Sequence, residues 1–379
     1  MDQPLVAIPC LVQEGSGRDG LIQSFPFRSF PFAQAFMKRI LEYVWPMVGF
    51  VAVIWSLVKL YTKLSHEVSL DPTVSVMLLE GAVLNNIIVI ARVIGQKISN
   101  IPTGSFVVAG ISSLVAYGAL AWYDRIALLH LGKAKDISWA YIAVCSFVTY
   151  ALSHNVGASV FSGAAVRYRA YSAKGLTATD ITILIALCSF TFFFGTTLLL
   201  GFVLIGEPMI LSPLVAVFPI FESILPTVRY VGLAMIGFCI LYAIGSWRNF
   251  PPLMLGGITL VYPRLPIVIR QCLAAPLELM GAAGIIYFAL PAEGNPGFFI
   301  ILGAFLLSFS AGLLSQMPGG IGVMEAVFLA ILPDMPASAV FAALLVWRLL
   351  YLVFPLILSL PIIIGFERQR LMNTLRNRI

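Results

Sequence analysis

Apolar stretches of membrane-spanning length alternate with short polar segments from residue 40 to residue 366. A helix needs about 20 apolar residues to cross about 30 Å of hydrocarbon. On that measure the pattern predicts spans at 40–61, 73–91, 103–122, 137–161, 181–205, 228–247, 266–290 and 298–317. The second is the least regular. Glu80, Asn85 and Asn86 interrupt it, and they suit an interfacial or cavity-lining segment as well as a span. A last apolar segment, 337–366, contains Pro355 and Pro361.

One interruption differs from the rest. Residues 316–325 read Gln-Met-Pro-Gly-Gly-Ile-Gly-Val-Met-Glu, so Pro318, Gly319, Gly320 and Gly322 break the backbone where a membrane helix would continue. An open helix end in hydrocarbon leaves N–H and C=O groups unpaired at several kcal/mol each, and it survives only when buried in protein or facing water. The apolar helix that follows, 323–332, is too short to span. The expected fold is an all-α, polytopic transmembrane helix bundle of about 8–9 membrane segments, one of them broken or re-entrant near 316–333. Residues 1–37 are expected to be a disordered cytoplasmic leader, 38–367 the transmembrane domain, and 368–379 a basic cytoplasmic tail.

Composition supports this. Of the 379 residues 60% are hydrophobic and 11% charged, against roughly 25% charged in soluble domains. The net charge of +6 is spread over loops and both ends. Nucleic-acid binding needs a concentrated basic face, which is missing, so no nucleic-acid partner is expected. The charges instead orient the helices. Lys38 and Arg39 precede the first span; Arg92 and Lys97 follow the second; Arg167, Arg169 and Lys174 follow the fourth; Arg248 and Arg264 follow the sixth. Segments 206–227 and 291–297 contain Glu207, Glu222 and Glu293 and neither Lys nor Arg. Both termini are therefore expected inside the cell, and the 123–136 loop, with Arg125, Lys133 and Lys135, is the exception. Cys10, Cys145, Cys188, Cys239 and Cys272 show no metal-ligand spacing, so no metal, cofactor or disulfide framework is expected.

The broken segment offers the first candidate chemistry. A helix restarting at Gly322 would aim free N–H groups and its positive dipole end into the bundle, which suits a phosphate. Alternatively the glycines allow close helix approach and Glu325 satisfies the helix start. Upstream, Ser308, Gly312 and Ser315 share one helical face, either as packing surface or as the lining of a polar path. Arg167-Tyr168-Arg169-Ala170-Tyr171 reads as a loop at the membrane boundary. Its guanidinium groups and aromatic rings fit anionic lipid headgroups, and equally a basic loop with an aromatic belt. Glu278 and Arg348 lie at membrane depth, where an ionisable residue costs at least about 2.5–3.5 kcal/mol unless paired or used. Arg348 can pair with Glu278 or Glu325; His154 reads as a packing residue. The candidate headgroup path is thus Arg167, Arg169, Tyr171, Glu278, Ser308, Gly319, Gly320, Gly322, Glu325 and Arg348. No catalytic residue is expected: Ser-His-Asp spacing, a Walker loop, a dinucleotide fingerprint and paired carboxylates are all missing.

Taken in order, several stretches resemble the lysylphosphatidylglycerol synthase transmembrane-region family, which includes the N-terminal half of the bacterial multiple peptide resistance factor. They are Tyr123-Asp124-Arg125-Ile126-Ala127-Leu128, Asn155-x-Gly157, Val166-Arg167-Tyr168-Arg169-x-Tyr171, Pro318-Gly319-Gly320-Ile321-Gly322-Val323-x-Glu325 and Trp347-Arg348-x-x-Tyr351-x-x-x-Pro355. The resemblance implies a flippase of the bacterial inner membrane that moves aminoacylated phosphatidylglycerol to the outer leaflet. There the lipid weakens attraction of cationic antimicrobial peptides. It makes Arg167, Arg169, Glu325 and Arg348 the best candidates for headgroup handling. This sequence departs from the family's bifunctional members by ending at Ile379, without their aminoacyl-transferring domain. Partners compatible with this reading are membrane phospholipids, a separate lipid synthase and a second copy of the chain. A membrane-embedded lipid-modifying transferase using Glu325 or Glu278 as base, or an accessory subunit of a synthase, are the alternatives.

Overall fold

The computed structural model describes residues 45–69, 83–156, 159–216, 219–251, 253–255, 258–260, 262–315 and 317–376. The leader 1–37, most of the predicted second span with Glu80, and Gly157 and Gln316 lie outside them. Apolar composition makes helices here because intra-segment hydrogen bonding is the way a single segment satisfies its backbone in lipid. In chain order these are α1 (Trp45–Ser69), α2 (Val83–Ser99), α3 (Thr103–His130), α4 (Trp139–Val156), α5 (Ser159–Ser172) and α6 (Ala178–Gly206). After a 3₁₀ segment, Pro208–Ala216, come the short α7 (Ile220–Ile224) and α8 (Val228–Trp247). A small antiparallel hairpin, Leu253–Leu255 with Ile258–Leu260, pairs Leu253 with Leu260. It is followed by α9 (Leu265–Ala289), α10 (Phe298–Leu314), α11 (Val323–Ile331) and α12 (Ala337–Arg348). A π-helical turn, Leu349–Val353, leads into α13 (Phe354–Arg376).

Among the described residues five helices are long and apolar enough to cross a membrane: Thr103–His130, Ala178–Gly206, Phe221–Trp247, Leu265–Ala289 and Ala337–Gly365. Side chains such as Leu114, 74% exposed, and Leu241 stand outward on these helices. Apolar surface on this scale is stable in lipid. Inside, helices approach through small residues, as membrane bundles do. A Cβ on Gly281 of α9 would lie 2.9 Å from the Ser112 carbonyl of α3, and one on Gly195 of α6 would meet Ala275 of α9.

The predicted fourth span, 137–161, is not one. The helix stops at Val156 and the chain reverses, so α4 and α5 form an antiparallel hairpin. Tyr141 donates to the Ala170 carbonyl at 2.7 Å, Tyr150 lies under Arg167, and a Cβ on Gly163 would meet the Ser153 hydroxyl. At 1.5 Å per residue, α5 is about 21 Å long, short of a full crossing. Both open ends of this hairpin lie on one face, because Lys174 rests over the Tyr141 ring at 4.6 Å. Lys133 and Asp180 are within electrostatic reach there, as are His130 and Arg264.

The broken segment makes a second hairpin, α10 with α11, entering from the opposite face. A Cβ on Gly206, at the far end of α6, would touch Phe299 at the start of α10. The α11 helix packs on Pro208–Ala216, and Lys63 near the end of α1 donates to Leu329 at 3.1 Å. The expected re-entrant element is thus present, with its open ends on the face opposite Lys133. Loop-charge alternation predicts an element opened from the side of the basic loops; the packing of α10 and α11 opens it from the other. The α4–α5 reversal also removes the charge exception, since the 131–138 and 173–177 connections share a face. Lys97, which ends α2 where the chain turns into α3 on the other face, and Lys63 beside Leu329 are departures from that alternation.

Candidate functional site

The two hairpin tips meet. A Cβ on Gly319 would lie 3.9 Å from the His154 carbonyl at the end of α4 and 3.2 Å from Nη1 of Arg348. Positive φ values at Gly319 (58°), Gly320 (61°) and Gly322 (82°) let the chain reverse within five residues, a backbone that residues with a Cβ rarely adopt. Gly320 also packs against Gly312, where an added Cβ would stand 3.1 Å from Cα. Arg348 lies about 16 Å from the start of the apolar segment Ala337–Gly365.

At the tip one ion pair ties the break together. Nε of Arg348 donates to Oε1 of Glu325 at 2.7 Å, and Nη1 donates to the Gly319 carbonyl at 2.8 Å. Nη2 stands 2.6 Å from the same carboxylate oxygen, a charge contact rather than an aligned hydrogen bond. Oε2 of Glu325 accepts from the Gly322 amide at 2.8 Å. The helix start that the sequence offers to a phosphate is therefore occupied by the protein's own carboxylate. Of the two pairings open to Arg348, the structure has Glu325. The Arg348 side chain is 14% exposed, with its Nη2 buried.

Glu278 sits apart from that pair. It is 1% exposed and accepts from the hydroxyls of Tyr351 at 2.6 Å and Tyr123 at 3.4 Å. Tyr351 belongs to the π-helical turn directly after Arg348, and the carbonyls of that turn are held by side chains. Ser113 donates to Leu350 at 2.8 Å, Tyr117 to Tyr351 at 2.9 Å and Asn155 to Leu352 at 3.0 Å. Side-chain donors of this kind satisfy the carbonyls that a π-turn frees from the helix ladder. The Tyr351 ring stacks on His154 at 5.3 Å and on Trp347 at 5.3 Å.

The segment 167–171 is helical and only partly at the surface. Within α5, Arg167 and Tyr171 turn inward while Tyr168, 53% exposed, and Arg169 turn outward. Arg167 donates to buried Asp124 of α3, Nη2 to Oδ1 at 2.7 Å and Nε to Oδ2 at 3.4 Å. Tyr171 donates to Oδ2 at 2.9 Å, and the Cys188 thiol to Oδ1 at 3.4 Å. Asp124 is not among the candidate site residues that the sequence offers, because run length ends the third span at Trp122 and reads 123–136 as a loop, whereas α3 runs on to His130. The signal available was a lone carboxylate at the end of an apolar run, with an arginine downstream. Ser308 is buried, and its hydroxyl donates to Phe305 of its own helix at 3.2 Å, which is packing geometry. Among the described residues no cluster of His, Cys, Asp and Glu could hold a metal ion.

Relatives place this chain in a family. The inner membrane protein YbhN of Escherichia coli K12 is 30% identical over 262 residues, covering 68% of this chain and 78% of YbhN. The chain belongs to the YbhN family. Protein slr0712 of Synechocystis is 32% identical over 262 residues, 64% of this chain and 73% of the relative. A phosphatidylglycerol lysyltransferase from Staphylococcus haemolyticus is 27% identical over 266 residues, 68% of this chain and 28% of the enzyme. No family model matches the chain. The resemblance to the lysylphosphatidylglycerol synthase transmembrane region thus holds as kinship between membrane proteins of YbhN type and part of that enzyme.

Proposed function

We propose that this YbhN-family protein moves the headgroup of an anionic or aminoacylated phospholipid, of lysylphosphatidylglycerol type, between membrane leaflets. The observation that carries this is the meeting of two helical hairpins, entered from opposite faces, beside Arg348. Discontinuous helices meeting near the midplane are how transporters build a site reachable from each side in turn. Arg348 holds a carboxylate, and a lipid phosphate presents similar oxygens to the same donors. The headgroup exchanges with Glu325 for Arg348 while the acyl chains stay in lipid. Arg169, Lys133 and Lys174 gather anionic lipid at the basic face, which we take as cytoplasmic together with both termini. Delivery of an aminoacylated lipid to the outer leaflet would weaken the attraction of cationic peptides, with the lipid made by a separate synthase.

The test is a leaflet-resolved assay in proteoliposomes carrying fluorescent phosphatidylglycerol or lysylphosphatidylglycerol. Purified protein should equilibrate the probe between leaflets, and Glu325→Ala should slow it at least about tenfold. A probe that stays on its original leaflet, with the variant indistinguishable from wild type, refutes the proposal. Chemically altered lipid in the same vesicles would identify a transferase instead.

A further inference from the structure

Three carboxylates are buried at depth among the described residues, and two of them have a cation. Asp124 has Arg167 and Glu325 has Arg348. Glu278 has two tyrosine hydroxyls and no ion pair. Around it, element by element, Tyr117 and Tyr123 face it from α3 and Tyr351 from the π-turn. The α10 helix contains no titratable residue. Cys188 of α6 is turned to Asp124, and Tyr242 of α8 bonds Gln271, two turns away along α9, beside Cys239. On α12, Arg348 is held by Glu325 and Gly319. Behind Tyr351 lies His154, whose Nδ1 is buried with no hydrogen-bond partner.

A bare charge in this setting is costly, and the counter-charge available to such a site is a proton. We propose that Glu278 is a proton-binding site that couples lipid movement to a proton gradient, with Tyr351 transmitting its charge state to Arg348. This rests on the transport reading and names its driving ion. As a carboxylate Glu278 accepts from both tyrosines. As an acid it holds an O–H of its own, which donates to a tyrosine oxygen once that tyrosine's own O–H has rotated away. Tyr351 stands three residues after Arg348 in a turn already off the α-helical register. Single π-turns change register by one residue, which would rotate Arg348 relative to Glu325 and the hairpin tips.

The experiment uses the full chain in proteoliposomes with fluorescent phosphatidylglycerol and an imposed pH gradient of one unit. With one proton per lipid, the wild-type leaflet ratio should shift by up to about tenfold and return on adding a protonophore. In Glu278→Gln the ratio with and without the gradient should be about one, whatever the absolute rate. Infrared difference spectra of the same vesicles should show a protonated-carboxyl stretch that titrates in wild type and is missing from Glu278→Gln. Tyr351→Phe should keep that band and move its midpoint, which serves also if Glu278→Gln fails to elute as a folded species. Wild type that moves lipid indifferently to the gradient, a variant that responds like wild type, or the absence of the titrating band would each overturn the coupling. If no lipid moves at all, the transport reading fails separately, and the infrared measurement still decides whether Glu278 binds a proton.

Discussion

Glu325 is the place where removing one side chain should cost most. Glu325→Ala removes the acceptor for the Gly322 amide and the charge partner of Arg348, leaving the guanidinium with the Gly319 carbonyl alone. Loss of the helix-start acceptor costs about 1 kcal/mol. Leaving one member of a buried pair alone costs about 3–5 kcal/mol. Because Arg348 is 14% exposed, the lower end applies, giving about 4 kcal/mol together. Glu325→Gln has one amide oxygen where the carboxylate has two, so it accepts from Gly322 or from Arg348 and turns its NH2 to the other donor; about 3 kcal/mol is expected. The exchange Glu325→Arg with Arg348→Glu restores charge balance but loses the bonds to Gly322 and Gly319, leaving a deficit of about 2 kcal/mol. Thermal unfolding of purified protein in detergent should rank wild type first, Glu325→Gln and the exchange next, and Glu325→Ala last. At about 2 °C per kcal/mol the full spread is about 8 °C. An exchange variant as unstable as the sum of its single changes, or Glu325→Gln as unstable as Glu325→Ala, would show that the pair does not hold the break together.

The Asp124–Arg167 pair should behave as a buried staple between α3 and the α4–α5 hairpin. Asp124→Ala should destabilise by about 3–5 kcal/mol, whereas Asp124→Leu combined with Arg167→Leu should recover most of that loss in the same thermal assay. The hairpin topology predicts cysteine accessibility: in a background without the native cysteines, Lys133→Cys and Lys174→Cys should label from one side of the membrane and Glu293→Cys from the other. Labelling of Lys133→Cys and Lys174→Cys from opposite sides would mean that α4 crosses fully.

Much of this protein is legible along the chain. Apolar run length alone requires a helical membrane bundle, because a single segment in lipid must satisfy its own backbone. The cluster Pro318-Gly319-Gly320-Ile321-Gly322 announces a break, since three close glycines in an apolar helix have few other uses. Arg348 and Glu278 stand out for a similar reason, being charges where charge is expensive. Other features depend on which residues the folded chain brings together. Hydropathy cannot separate one span from a tight helical hairpin, because both are continuous apolar runs, so the reversal after Val156 is invisible in the sequence. The inward turn of Arg167 and Tyr171 follows from that reversal, since Asp124 is 43 residues away from Arg167 and becomes its neighbour only when α5 folds back onto α3. Tertiary packing also decided that Arg348 takes Glu325 and leaves Glu278 to the tyrosines. The sequence determined that charges would lie in the membrane; three-dimensional contact determined which of them are neutralised, because pairing depends on distances of a few ångströms that run length and periodicity do not specify.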